Sequence, residues 1–262
     1  MLKKIILTNI IFFVLSIIIF AEPRNLLGVS PNIDTITTKP WVIITYMFFH
    51  EKPFHFLTNM LFLYAFGKIF LKYLSSEKLF SNYILGGLSG SVLFLIFSTT
   101  THFILVNDPL IGCSASILSI LVTSTIFTPN FSFKIHQSSN LSIKLKFITI
   151  LFVIYSIVNP ILSNNMGGLI AHIGGVFYGF LYVLLIKKNI NLGFFIEKIF
   201  EFNLNNNTQK IKRKKNEDDY EYNTRKKIEE LELNKILEKI NYSGYKSLSK
   251  KEKETLKKYS QN

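Results

Sequence analysis

The sequence predicts an all-α, polytopic membrane protein: a bundle of six transmembrane helices followed by a small, charged, helical cytoplasmic tail. Three observations predict it. Charge is unevenly placed, with 13 basic and 5 acidic residues in 1–190 but 17 basic and 12 acidic in 191–262. Six apolar stretches come close to the roughly 20 residues that cross a bilayer. The chain is 48% hydrophobic and only 18% charged, against roughly a quarter charged in an ordinary soluble domain. These features exclude a single soluble globular domain. The net charge of +13 does not point to nucleic acid, because the basic residues are not gathered on one aromatic-rich module. A single cysteine excludes a disulfide framework and a Cys-rich metal site. No metal and no cofactor are expected.

The spans follow in order. The first runs from Ile5 to Phe20, behind Lys3 and Lys4. A basic start, an apolar run and Ala21 also suit a cleaved signal peptide. Bulky Ile18, Ile19 and Phe20 fit a cleavage site poorly, so an uncleaved span is expected. The others are Phe54–Leu74, Phe80–Thr99, Leu110–Phe127, Phe147–Leu162 and Met166–Ile186. Residues 1–190 thus form a membrane domain and 191–225 a polar, charged linker. Residues 226–262 form a small helical tail, with helical spacing from Ile228 to Ile240 and a capping box at Ser249–Glu252.

Lys and Arg in the short loops set the orientation. Lys3 and Lys4, Lys72 and Lys78, Lys134, Lys144 and Lys146, and Lys187 and Lys188 all fall on one side. The loop near 100–109 and the turn Ser163–Asn165 carry none. Both termini are therefore expected in the cytoplasm, and spans two, four and six start at the outer face.

Polar groups inside a membrane are costly and so mark function. Span two opens with His55 and Asn59, four residues apart on one helical face. Span four opens with Gly112-Cys113-Ser114-Ala115, and span six contains Ala171-His172-Ile173-Gly174-Gly175. Taken alone, Ser114 reads as a serine bonded back to its own helix, with Ser116 and Ser119 as equal candidates. A lone buried His is more often packing, and Asn59 alone is interhelical glue. Their common depth, within roughly the outer 10 Å by helical rise, makes them one site. Small residues at Gly112, Ala171, Gly175 and Gly179 let the helices approach closely, which allows His172 to reach Ser114.

At these residues the chain resembles the rhomboid family of intramembrane serine proteases. His55-Phe56-Leu57-Thr58-Asn59, Gly112-Cys113-Ser114 and Ala171-His172-Ile173-Gly174-Gly175 match three family motifs in order. His50 is a further match, and Trp41–His50 resembles the outer loop of bacterial members. Two positions depart: Val42 stands where an Arg often follows Trp41, and Ala115 where a Gly often follows the nucleophile. The resemblance covers about residues 1–190. It implies a bacterial inner membrane as the host membrane, with Ser114 as nucleophile and His172 as general base and acid. It adds His55 and Asn59, beside the Ser114 backbone N–H, as oxyanion donors, and lateral substrate entry between spans two and five under a cap at Ser163–Asn165. No intramembrane carboxylate is available for a triad, since residues 52–190 hold only Glu77 and Asp108, so a Ser–His dyad is expected.

The expected function is an intramembrane serine endopeptidase acting through an acyl-enzyme. The alternative is a non-catalytic rhomboid-like protein that binds membrane helices; retention of both Ser114 and His172 argues against it. A transporter would need polar residues near the midplane, which the spans lack. Expected partners are the transmembrane segments of substrate proteins and the lipid bilayer, with a cytoplasmic partner for the tail. No nucleic acid is expected.

Overall fold

The computed structural model describes residues 1–18, 23–101, 106, 108–134, 142–204, 217–243 and 247–260. Among them the helices are α1 (Leu2–Ile18), α2 (Pro23–Leu27), α3 (Asp34–Thr38), α4 (Val42–Thr45), α5 (Pro53–Phe70) and α6 (Ser76–Thr100). They continue with α7 (Ser114–Phe127), α8 (Leu145–Leu162), α9 (Met166–Lys187), α10 (Phe194–Leu204), α11 (Asp219–Ser243) and α12 (Lys250–Ser260). A small antiparallel hairpin, β1 (Ser132–Lys134) with β2 (Ser142–Lys144), joins α7 to α8 and pairs Phe133 with Ile143. By length and composition α6, α8 and α9 are long and apolar enough to cross a membrane, and α7 is a shorter apolar helix. The chain is an all-α polytopic membrane protein.

Local signals start and stop these helices. Pro53 occupies the first turn of α5, where its missing N–H costs nothing. Ser75 caps α6 by accepting from the Lys78 N–H, and Asn165 caps α9 by accepting from the Gly168 N–H at 2.8 Å. At the far ends of α8 and α9, Asn164 and Asn189 take the left-handed conformation with φ of 54° and 59°. Asn tolerates that geometry, and it lets the next amide close back on the last turn. Asn165 N–H duly bonds the Pro160 carbonyl, and Ile190 N–H the Leu185 carbonyl.

The centre of the bundle is α7, buried without a break from Ala115 to Ser124. It packs against both α6 and α9, which also pack on each other. In lipid no hydrophobic force drives helices together, so close packing and interhelical hydrogen bonds must do so. Both are present. Ser119 Oγ donates to Asn82 Oδ1 at 2.8 Å, and Asn82 Nδ2 donates to Thr123 Oγ1 at 3.0 Å. α1 is held to α6 by buried Asn9, whose Nδ2 donates to Tyr83 Oη at 3.1 Å. Around the rim α8 turns Leu151, Ile154, Tyr155 and Leu162 outward, as a lipid-facing helix would.

Three segments differ from the sequence expectation. Span four does not begin at Leu110: residues 108–113 run in non-helical conformation and α7 starts at Ser114. Part of the 191–225 segment, expected as a linker, is helical instead, with α10 tied to α6 by Glu197 accepting from Ser81 Oγ at 2.8 Å. The tail helix α11 begins at Asp219, earlier than 226, and docks on the membrane domain. Asp219 pairs with Lys78, Tyr220 stacks on Tyr73 with centroids 5.6 Å apart, and Asn223 Nδ2 donates to the Tyr73 carbonyl at 3.3 Å.

Candidate active site

The segment leading into α7 is built from backbone pairings. Val29 and Leu110 exchange two hydrogen bonds, at 3.0 and 2.8 Å, and the Gly112 N–H donates to the Tyr46 carbonyl at 2.9 Å. Non-helical chain inside a membrane protein is tolerated where the protein satisfies its polar groups, and Val29 and Tyr46 supply those partners. Gly112 has φ of +100°, a backbone geometry that disfavours side chains. Its expected role in helix packing is therefore corrected: Gly112 precedes the helix and makes the turn that presents Ser114. The turn also leaves room for His55. A methyl group on Gly112 would lie 2.8 Å from His55 Cε1.

Ser114 is the first residue of α7. The first intrahelical bond runs from Ile117 N–H to the Cys113 carbonyl, so the amides of Ser114, Ala115 and Ser116 point back toward the N-terminal end with no acceptor in the helix. His172 projects from α9, and its Nε2 lies 2.8 Å from Ser114 Oγ. Its Nδ1 lies 2.7 Å from the Ser156 carbonyl of α8. A carbonyl can only accept, so in the neutral ring Nδ1 carries the proton. Nε2 then accepts from the Ser114 hydroxyl. Three helices thus meet at one imidazole.

The close approach depends on the small residues of α9. A Cβ on Gly175 would overlap the Ala115 backbone, and one on Gly179 would lie 2.7 Å from the Ser119 carbonyl. Ala171 is buried on the same side, its carbonyl 3.1 Å from where a Gly90 methyl would sit. Ala115 is buried as well, against Gly90 of α6.

His55 and Asn59 lie along α5 beside this turn. Asn59 Nδ2 donates to His50 Nε2 at 3.0 Å, and the His50 and His55 rings meet edge to face with centroids 5.4 Å apart. The Cys113 Sγ is buried 3.5 Å from the same His50 nitrogen. The nearby acids are engaged elsewhere: Glu51 and Asp108 both pair with Arg24 of α2. Val42 is buried at 1% exposure, while the neighbouring Trp41 Nε1 donates to the Leu26 carbonyl at 3.0 Å. Among the described residues, no group of three His, Cys, Asp or Glu is placed to hold a metal ion. Sequence reasoning missed the Ser156 carbonyl. Pro160, four residues on and inside a span, was its only available signal.

Residues 37–189 match the family model described as Rhomboid domain. The chain belongs to the rhomboid family. The matched segment contains Ser114, His172, His55 and Asn59, and rhomboids are in general intramembrane serine proteases. Residues 209–262 of this rhomboid match a second model, described as a family of unknown function (DUF6576). Among curated proteins none matches the chain.

Proposed function

We propose that this rhomboid is an active serine endopeptidase that cleaves transmembrane segments of other membrane proteins through a Ser114–His172 dyad. The observation that carries the reading is the 2.8 Å contact between Ser114 Oγ and His172 Nε2. A serine hydroxyl is a weak nucleophile until a base takes its proton. As Ser114 Oγ attacks the scissile carbonyl carbon, His172 Nε2 accepts that proton. The C–N bond then breaks, and His172 returns the proton to the leaving amine, leaving an acyl-serine. Water attacks the ester, gives its proton to His172, and the released Ser114 takes it back.

The oxyanion of each tetrahedral intermediate needs donors fixed in advance. The Ser114 backbone N–H at the start of α7 supplies one, with the helix dipole favouring negative charge there. His55 and Asn59 supply the others. A substrate helix has its peptide bonds protected, so the cleaved stretch must unwind, which favours small or helix-destabilising residues at the scissile bond. Entry is between α5 and α8, below the Ser163–Asn165 turn, with the site open to the outer face and both termini in the cytoplasm.

Labelling with a fluorophosphonate probe tests the reading. Wild type is expected to label, and Ser114→Ala or His172→Ala to abolish it. Persistent labelling of Ser114→Ala would overturn the assignment. Cleavage of a membrane substrate by wild type then separates a protease from a protein that only binds helices.

A further inference from the structure

We infer that Pro160 is a positioning residue for the dyad, because it releases the Ser156 carbonyl of α8 to orient the His172 imidazole. The inference rests on the protease reading of Ser114 and His172 and adds a third element to it. No carboxylate faces His172 among the described residues, yet its Nδ1 is not idle: it donates to the Ser156 carbonyl at 2.7 Å. In a regular helix that carbonyl would accept from the amide of residue 160. Residue 160 is a proline inside α8, so the amide does not exist.

The side chain of Ser156 takes no part here, since its Oγ donates to the Val153 carbonyl of its own helix at 2.8 Å. Both Ser156 and Pro160 are buried, so water does not compete freely for the released oxygen. The outcome is a neutral acceptor in the place a carboxylate holds in a triad. It fixes the proton on Nδ1 and turns the Nε2 lone pair toward Ser114.

Proline at this point costs helix regularity, so removing it is not expected to unfold the protein. That separates positioning from structure. Pro160→Ala restores an amide that draws the Ser156 carbonyl back into line. The expected result is a kcat about tenfold lower, since a misoriented histidine is costly to this chemistry. KM and thermal stability should be unchanged, or stability raised. A second variant places lactic acid at 160, which has the shape of alanine but an ester oxygen in place of the N–H. It is expected to recover most of the rate.

The tautomer is read directly by 15N spectroscopy of ring-labelled histidine in micelles, with the His172 signals assigned by their loss in His172→Ala. Wild type and the ester variant should show one tautomer protonated at Nδ1, and Pro160→Ala a mixture. A Pro160→Ala protein with wild-type kcat and an unmixed tautomer would overturn the inference and leave the dyad standing. An ester variant as slow as Pro160→Ala would overturn it too, by showing that the proline ring and not the missing amide matters. Should Ser114→Ala still cleave, the protease reading fails, while the tautomer measurement still decides whether Pro160 sets the imidazole.

Discussion

At the scale of single residues, the site is a problem of fit between backbones. Ala115 follows Ser114 at the start of α7, and its methyl needs space. The structure gives it space on α6 and not toward Ser114: a methyl placed on Gly90 would come within 2.8 Å of Ala115 Cβ. Gly90→Ala is therefore expected to overpack this contact and destabilise the protein by about 1–3 kcal/mol. Ala115→Gly in the same chain is expected to recover part of the loss, with a coupling of at least about 0.5 kcal/mol. Recovery stays partial because the Tyr46 hydroxyl and the Ala171 carbonyl also lie about the same methyl, at 3.0 and 3.1 Å. Reversible unfolding of the four proteins in mixed micelles gives the coupling, and strict additivity would remove the explanation. That Ser114 and His172 meet, at 2.8 Å, was legible from small residues that let their helices approach. Gly112 was legible as important but not as a turn, since the sequence does not show that α7 starts two residues later.

At the scale of elements, what the sequence hides is long-range pairing. Residues 194–204 lie next to an Asn-rich, charged stretch and so read as linker. Their helix is fixed by Glu197, which bonds Ser81 of α6 and Asn191 at 2.8 Å each, and neither partner is visible along the chain. The capping box of α12 was legible, being local: Ser249 N–H donates to Glu252 Oε2 at 2.7 Å and Glu252 N–H to Ser249 Oγ at 3.3 Å. Its further tie to α11, from Lys239 Nζ to Glu252 at 2.9 Å, was not. Together the Ser249 amide and Lys239 hold the Glu252 carboxyl down to about 2 from an ordinary value of 4.5. A carboxyl depressed in the folded state adds stability above its unfolded value and loses it as the proton binds. The α11–α12 contact is thus expected to loosen as pH falls from about 4.5 through 2. Spin labels at the exposed Ile228 and Lys251 positions of the full chain would report it as a broadened distance distribution. Glu252→Gln should show the broad distribution already at neutral pH, with no further change in that window.

At the scale of the whole molecule, the sparse charge of residues 1–190 made the membrane class legible, and the lysines at alternate loops predict an orientation. Depth was less so. His172 lies six residues into α9, about 9 Å along its axis at 1.5 Å per residue, and Ser114 is hydrogen-bonded to it at the very start of α7. The chain before Ser114 therefore descends to the site as loop, paired to Val29 and Tyr46, where the sequence suggested helix from Leu110. This geometry ties the site to whichever face carries Asp108, because that exposed residue lies on the same descending segment. Placing that face outside and the β1–β2 hairpin inside follows from Lys134, Lys144 and Lys146. Cysteine labelling tests it on the full chain, since the native Cys113 is buried. Asp108→Cys is expected to react with a membrane-impermeant maleimide in intact cells, and Ser142→Cys only after the membrane is opened. The reverse pattern would turn the descending loop, and with it the mouth of the Ser114 site, toward the cytoplasm.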